Sequence, residues 1–143
     1  YRNLAKFNGE SWLDEVAESL FELANIKVLQ HKSDQAEALV QEAIEIYRDL
    51  CESNPIFMEH FAARLDIMAS LFVQNNCSFD KTESYYKESI DIYRKLAEDR
   101  PQKFLTQVAT SLEGLAGLYD DHHEKTKAKE IRKEISAISN KII

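Results

Sequence analysis

The sequence predicts an all-α protein made of repeated helix pairs, and three observations carry that expectation. The phrase Ile44-Glu45-Ile46-Tyr47-Arg48-Asp49-Leu50 returns 46 residues later as Ile90-Asp91-Ile92-Tyr93-Arg94-Lys95-Leu96, and Pro55 returns as Pro101 at the same interval. Such self-similarity marks a repeat architecture and is read before anything else. Large apolar residues recur at helical rather than alternating spacing throughout. With 3 Gly and 2 Pro in 143 residues, the chain also lacks the turn residues a sandwich or barrel demands.

The first helix of each pair, helix A, is read from a block that occurs three times. Trp12, Val16, Ala17, Leu20, Leu23, Ala24 and Ile26 match Phe57, Phe61, Ala62, Leu65, Met68, Ala69 and Leu71, and again Phe104, Val108, Ala109, Leu112, Leu115, Ala116 and Leu118. The steps of 45 and 47 place single-residue insertions in the turns. Helix B carries the stripe Ala36, Val40, Ala43, Ile44, Tyr47, then Thr82, Tyr86, Ser89, Ile90, Tyr93. Asp34 with Glu37 and Asp80 with Glu83 have capping-box spacing, so each Asp is expected at an N-cap. Asn54 avoids helical angles because Pro55 follows it, and Pro55 is expected at the first position of the next helix A. The last helix B, about Glu124 to Ile138, puts Ile131, Ile135 and Ile138 on one face but loses the Tyr-Arg pair, as a capping repeat does.

These readings divide the chain into residues 1–10, the end of a preceding second helix because Tyr1-Arg2-Asn3-Leu4-Ala5 fits the register of Tyr47 to Cys51, then repeats at 11–53, 54–99 and 100–143. That register suggests a chain cut from a longer array, and since Tyr1 is not methionine the chain is expected to be an excised piece or a processed product.

Composition narrows the function. Hydrophobic residues at 44% and charged residues at 30% fit a folded domain. A net charge of −7 and a pI near 5.1 have the wrong sign for phosphate backbones, so no nucleic acid partner is expected. No run approaches the ~18 to 20 apolar residues that span a bilayer. Cys51 and Cys77 form no Cys-x-x-Cys pair, which points to a reducing, cytoplasmic setting without zinc or a disulfide framework.

The spacing Leu20, Leu23, Ala24, Lys27, Ala36, Val40, Ala43 resembles the tetratricopeptide signature, as do Leu65, Met68, Ala69, Phe72 and Leu112, Leu115, Ala116, Tyr119. The resemblance covers nearly the whole chain, in a long-repeat variant of about 46 residues against the usual 34. It implies a right-handed superhelical solenoid of antiparallel helix pairs whose concave face binds a peptide or helix of another protein. The family's groove positions fall on Glu18, Phe21, Asn25 and Val28, on Ala63, Asp66, Ser70 and Val73, and on Thr110, Glu113, Gly117 and Asp120. The lysines and arginines with which some relatives clamp a C-terminal carboxylate are missing there.

Across the A helices and their ends stand nine acids (Asp14, Glu15, Glu18, Glu22, Glu59, Asp66, Glu113, Asp120, Asp121) against three bases (Lys27, Arg64, Lys103). This face either attracts a basic peptide or is simply solvated. Phe21 is either an interface anchor or packs against a preceding repeat. The function expected is a non-enzymatic interaction scaffold without catalytic residues, metal or cofactor. The alternative is a structural spacer that self-associates end to end through Tyr1, Leu4, Ile142 and Ile143. A remoter reading, a metal-dependent helical enzyme, rests on Asp120-Asp121-His122-His123-Glu124, which a solvated turn also explains. Cys51 reads as a small buried residue, and Gly114 and Gly117 as points of close helix packing.

Overall fold

A computed structural model describes the backbone of residues 10–142 and the side chains of residues 12–141. Among them are six helices and no strand: α1 (Glu10–Leu29), α2 (Ser33–Ser53), α3 (Phe57–Gln74), α4 (Phe79–Asp99), α5 (Pro101–Asp121) and α6 (Lys125–Ile142). The all-α class follows. The segment expected to end an earlier helix lies, up to Gly9, outside the described residues, as does Ile143. The chain divides into two compact units, Tyr1–Arg64 and Leu65–Ile143, with the boundary inside α3.

In the first unit α1 packs on α2. The expected stripe of α2 is buried in full: Ala36, Val40, Ala43, Ile44 and Tyr47 are at most 2% exposed. The residues of α1 that share this core are Ala17, Phe21, Ala24 and Val28, also at most 2% exposed. Two expectations are corrected here. Phe21 and Val28 are core residues rather than groove-lining ones, and the Phe21 ring centroid lies 6.0 Å from that of Tyr47. Conversely, Leu23 and Ile26, read as part of the apolar face, are 42% and 49% exposed. Two apolar faces share α1, and α2 covers only the one centred on Ala17, Phe21, Ala24 and Val28.

In the second unit α4 packs on α5 and α5 on α6. Thr82, Tyr86, Ser89, Ile90 and Tyr93 are all buried, and along α5 so are Phe104, Val108, Leu112, Leu115, Ala116 and Leu118. Gly114 permits one close approach, since a Cβ there would lie 2.6 Å from the Tyr86 ring. At Gly117 a Cβ would meet nothing within 4 Å, so close packing explains only the first glycine. Cys51, expected to be buried, is half-buried.

The helix ends show how local chemistry sets the boundaries. At the ends of α1, α3 and α5 the chain makes one and the same turn. His31, Asn76 and His123 take positive φ of 62°, 53° and 62°. The next amide in each case donates back five residues, Lys32 to Lys27, Cys77 to Phe72 and Glu124 to Tyr119, at 2.8 to 2.9 Å. This is a Schellman closure, which satisfies carbonyls the helix leaves unpaired.

Two capping expectations are corrected. Asp34 and Asp80 sit in the first turns of α2 and α4, where a carboxylate favours the positive end of the helix dipole. The N-caps are Lys32, which makes no side-chain bond, and Ser78, whose hydroxyl accepts from the Lys81 amide at 3.3 Å. Pro101 opens α5 as the repeat register requires, but Pro55 stands two residues before α3. There Asn54 is extended (φ −153°, ψ 110°), its side-chain oxygen accepts from the Ile56 amide, and its carbonyl accepts from Phe57. An Asx turn thus delays the helix start.

Candidate functional site

The groove residues expected from sequence separate into three groups. Phe21 and Val28 are buried. Glu18, Asn25, Ala63, Asp66, Val73 and Gly117 are half-buried, and Asn25 Oδ1 has no hydrogen-bond partner among the described residues. Ser70, Thr110, Glu113 and Asp120 are exposed, although the Thr110 hydroxyl donates to the Thr106 carbonyl of its own helix at 2.9 Å.

Each acid among them is engaged inside its own unit. In the first unit Arg64 of α3 grips both oxygens of Glu18 on α1, with Nε 2.9 Å from Oε1. His60 Nε2 also contacts Glu18 Oε1, and His60 Nδ1 lies 3.5 Å from Asp14 Oδ1. From α2 the Tyr47 hydroxyl donates to Asp14 at 2.9 Å and to Glu18 at 3.3 Å, while its ring stacks on Phe61 at 5.3 Å. Burial pushes the Glu18 carboxyl up, but Arg64, His60 and Tyr47 outweigh it and hold the group below the ordinary glutamate range. Burial, reinforced by both carboxylates, drives the Tyr47 phenol well upward, so it stays a donor.

In the second unit Asp66 is the junction of three helices. Its Oδ1 accepts from Ser89 of α4 at 2.7 Å and its Oδ2 from Ser111 of α5 at 2.6 Å. Burial raises the Asp66 carboxyl above the usual aspartate range, and the two hydroxyls offset this only in part. Glu113 and Asp120 both face Arg132 of α6, at 3.5 and 2.7 Å. Tyr119 donates to Glu83 at 2.5 Å.

Sequence reading missed this pairing, although a signal existed. Glu18 and Arg64 are 46 residues apart, Asp66 and Ser111 45. Asp14 and His60 share the first of these intervals. Side chains one repeat period apart on successive A helices meet.

The acids and histidines of the turn after α5, on which the remoter metal-enzyme reading rests, do not converge. Asp120 turns to Arg132, whereas His122 Nδ1 lies 3.0 Å from the Leu118 carbonyl and its ring 4.5 Å from Phe79. The ligand-type side chains that do converge among the described residues are Asp14, Glu18 and His60, with one candidate atom each within 4.8 Å of the others. Their carboxylate and imidazole donors suit a divalent ion, but a metal would have to displace Arg64 from Glu18.

Two cavities lie in the second unit. One of about 460 Å³ is lined by buried Ile90, Leu112 and Leu115 and by exposed Lys87, Arg94 and Glu134, of which Arg94 and Glu134 pair. The other, about 430 Å³, brings Cys77 of one turn beside Asp121 and His122 of the next. No helix among the described residues is long and apolar enough to cross a membrane. No protein-family model matches the sequence, and no curated protein matches it either.

Proposed function

We propose that the chain is a non-enzymatic protein-interaction scaffold of tetratricopeptide-like helix pairs, arranged as a right-handed solenoid and working in the reducing cytoplasm. The observation that carries this reading is the meeting of side chains one repeat period apart, Glu18 with Arg64 and Asp66 with Ser111. Contacts at this interval within each unit are what stacked repeats make between successive A helices, whose exposed face is the usual recognition surface of such arrays. The Schellman turns at matching positions support the same register.

The partner proposed is a peptide or helix bearing Lys or Arg. It meets the exposed part of the expected face, Ser70, Thr110, Glu113 and Asp120, and competes with Arg132 for the two acids. Exposed ion pairs of this kind are weak and screened by salt, so such an exchange is accessible. The test is fluorescence anisotropy with labelled Lys-rich and Glu-rich peptides of equal length, at low and raised salt. Binding of the basic peptide alone, weakened by salt and lost in Glu113→Lys with Asp120→Lys, is expected. Equal binding of both peptides, or none, would sink the proposal. The spacer alternative draws support from exposed Leu23, Ile26 and Leu29 on α1.

A further inference from the structure

Inside the first unit, α1 and the start of α3 meet through two pairs of side chains, each pair spaced four residues apart. Asp14 and Glu18 share one face of α1, His60 and Arg64 one face of α3. The step of 46 residues sets Asp14 against His60 and Glu18 against Arg64, so the four side chains are the corners of one patch. Three of these corners are metal-ligand types. One atom each from Asp14, Glu18 and His60 lies within 4.8 Å of the other two, and all three residues are half-buried. The fourth corner is the Arg64 guanidinium, which grips both oxygens of Glu18. Two carboxylates thus meet one permanent cation, and with a neutral imidazole one negative charge of the patch is left over. The carboxylates are also held in place from a third helix, because the Tyr47 hydroxyl of α2 donates to Asp14 at 2.9 Å and to Glu18 at 3.3 Å. Outer hydrogen bonds of this kind orient the ligands of a metal site.

We propose that Asp14, Glu18 and His60 bind one divalent transition ion of the zinc kind, which fastens α1 to α3. The imidazole selects such an ion over Mg²⁺ and Ca²⁺, which take oxygen ligands. Three protein ligands leave a four-coordinate zinc one position for water. The ion enters by exchange. It takes the Glu18 oxygen that Arg64 Nε now holds at 2.9 Å, together with an Asp14 oxygen and one ring nitrogen of His60. Any proton on that nitrogen leaves to solvent, since only the bare nitrogen ligates. Arg64 is therefore the metal's competitor, and removing it tightens the metal. Neither Glu113 nor Asp120 takes part, so this inference and the peptide-binding reading fail separately.

The probe is Co²⁺ titrated into the whole chain, because its visible absorption reports the number and kind of its ligands. One Co²⁺ per chain is expected, with the spectrum of a four- or five-coordinate ion and without the thiolate band that Cys77 would add. Zn²⁺ should displace it and raise the melting temperature in proportion to its free concentration above the dissociation constant. Glu18→Gln and His60→Gln, at separate corners and each checked for helical circular dichroism, should weaken Co²⁺ about tenfold or more. Arg64→Ala should tighten it several-fold, and His122→Ala with His123→Ala should leave it unchanged. No binding would overturn the inference, as would loss of the spectrum in the His122 and His123 variant. Mg²⁺ binding as tightly as Zn²⁺ would also overturn it, because the patch would then be only a cluster of negative charge.

Discussion

Asp66 shows what a half-buried carboxylate does at a junction. Its pKa is raised by burial, so the folded chain holds the proton more tightly than the unfolded one. The resulting stabilisation is fully present below the ordinary aspartate value of about 4 and is lost as pH rises through the folded value. Asp66→Asn cannot ionise and can still exchange hydrogen bonds with Ser89 and Ser111. Urea unfolding should show this variant gaining on the parent between acid and neutral pH; a pH-independent difference would refute the assignment. The two glycines of α5 make an opposed pair. Gly117→Ala gains helix propensity at no steric cost and should stabilise by about 0.5–1 kcal/mol. Gly114→Ala drives a methyl into the Tyr86 ring, and the overpacking should leave a net loss of about 1–2 kcal/mol. Thermal melts of the two variants should move in opposite directions.

At the scale of elements, the A helices all end in a left-handed residue, yet none of the three is glycine. A non-glycine side chain pays roughly 1–2 kcal/mol for that conformation, and Asn is the residue that bears it best. His31→Gly and His123→Gly are therefore expected to stabilise by about 0.5–1 kcal/mol each, and Asn76→Gly by less. Denaturant midpoints rank the three, and a gain for Asn76→Gly as large as for the histidines would contradict the argument. The B helices show how far local pattern reaches: their stripes were legible because α2 and α4 each bury the face that the periodicity marks. The helix starts were less legible, since an Asp in a first turn and an Asp at an N-cap differ by a residue or two and both satisfy the same dipole.

For the molecule as a whole, the net charge of −7 is partly spent inside its own units. Glu18, Asp66, Glu113 and Asp120 all have intramolecular partners, and only the last two are exposed. If a basic peptide competes with Arg132 for Glu113 and Asp120, removing the competitor should help it. Arg132→Ala is expected to tighten basic-peptide binding a few-fold, with thermal stability nearly unchanged. Titrations that show weaker or unchanged affinity would remove these acids from the proposed site.

The sequence by itself determined the all-helical class, the recurrence interval of near 46 residues and the buried stripes of α2 and α4. These depend on local periodicity and on turn chemistry, which neighbouring residues settle among themselves. Only the tertiary structure decided which of two apolar faces of α1 is covered. Phe21 and Val28 lie in the core, and Leu23 and Ile26 outside it, because a helical period gives each side chain a direction but not the helix it will meet. The same reason holds for the candidate site. Arg64 could be placed one period from Glu18 by counting, but only the packing of α1, α2 and α3 brings Tyr47 and His60 to the same carboxylates.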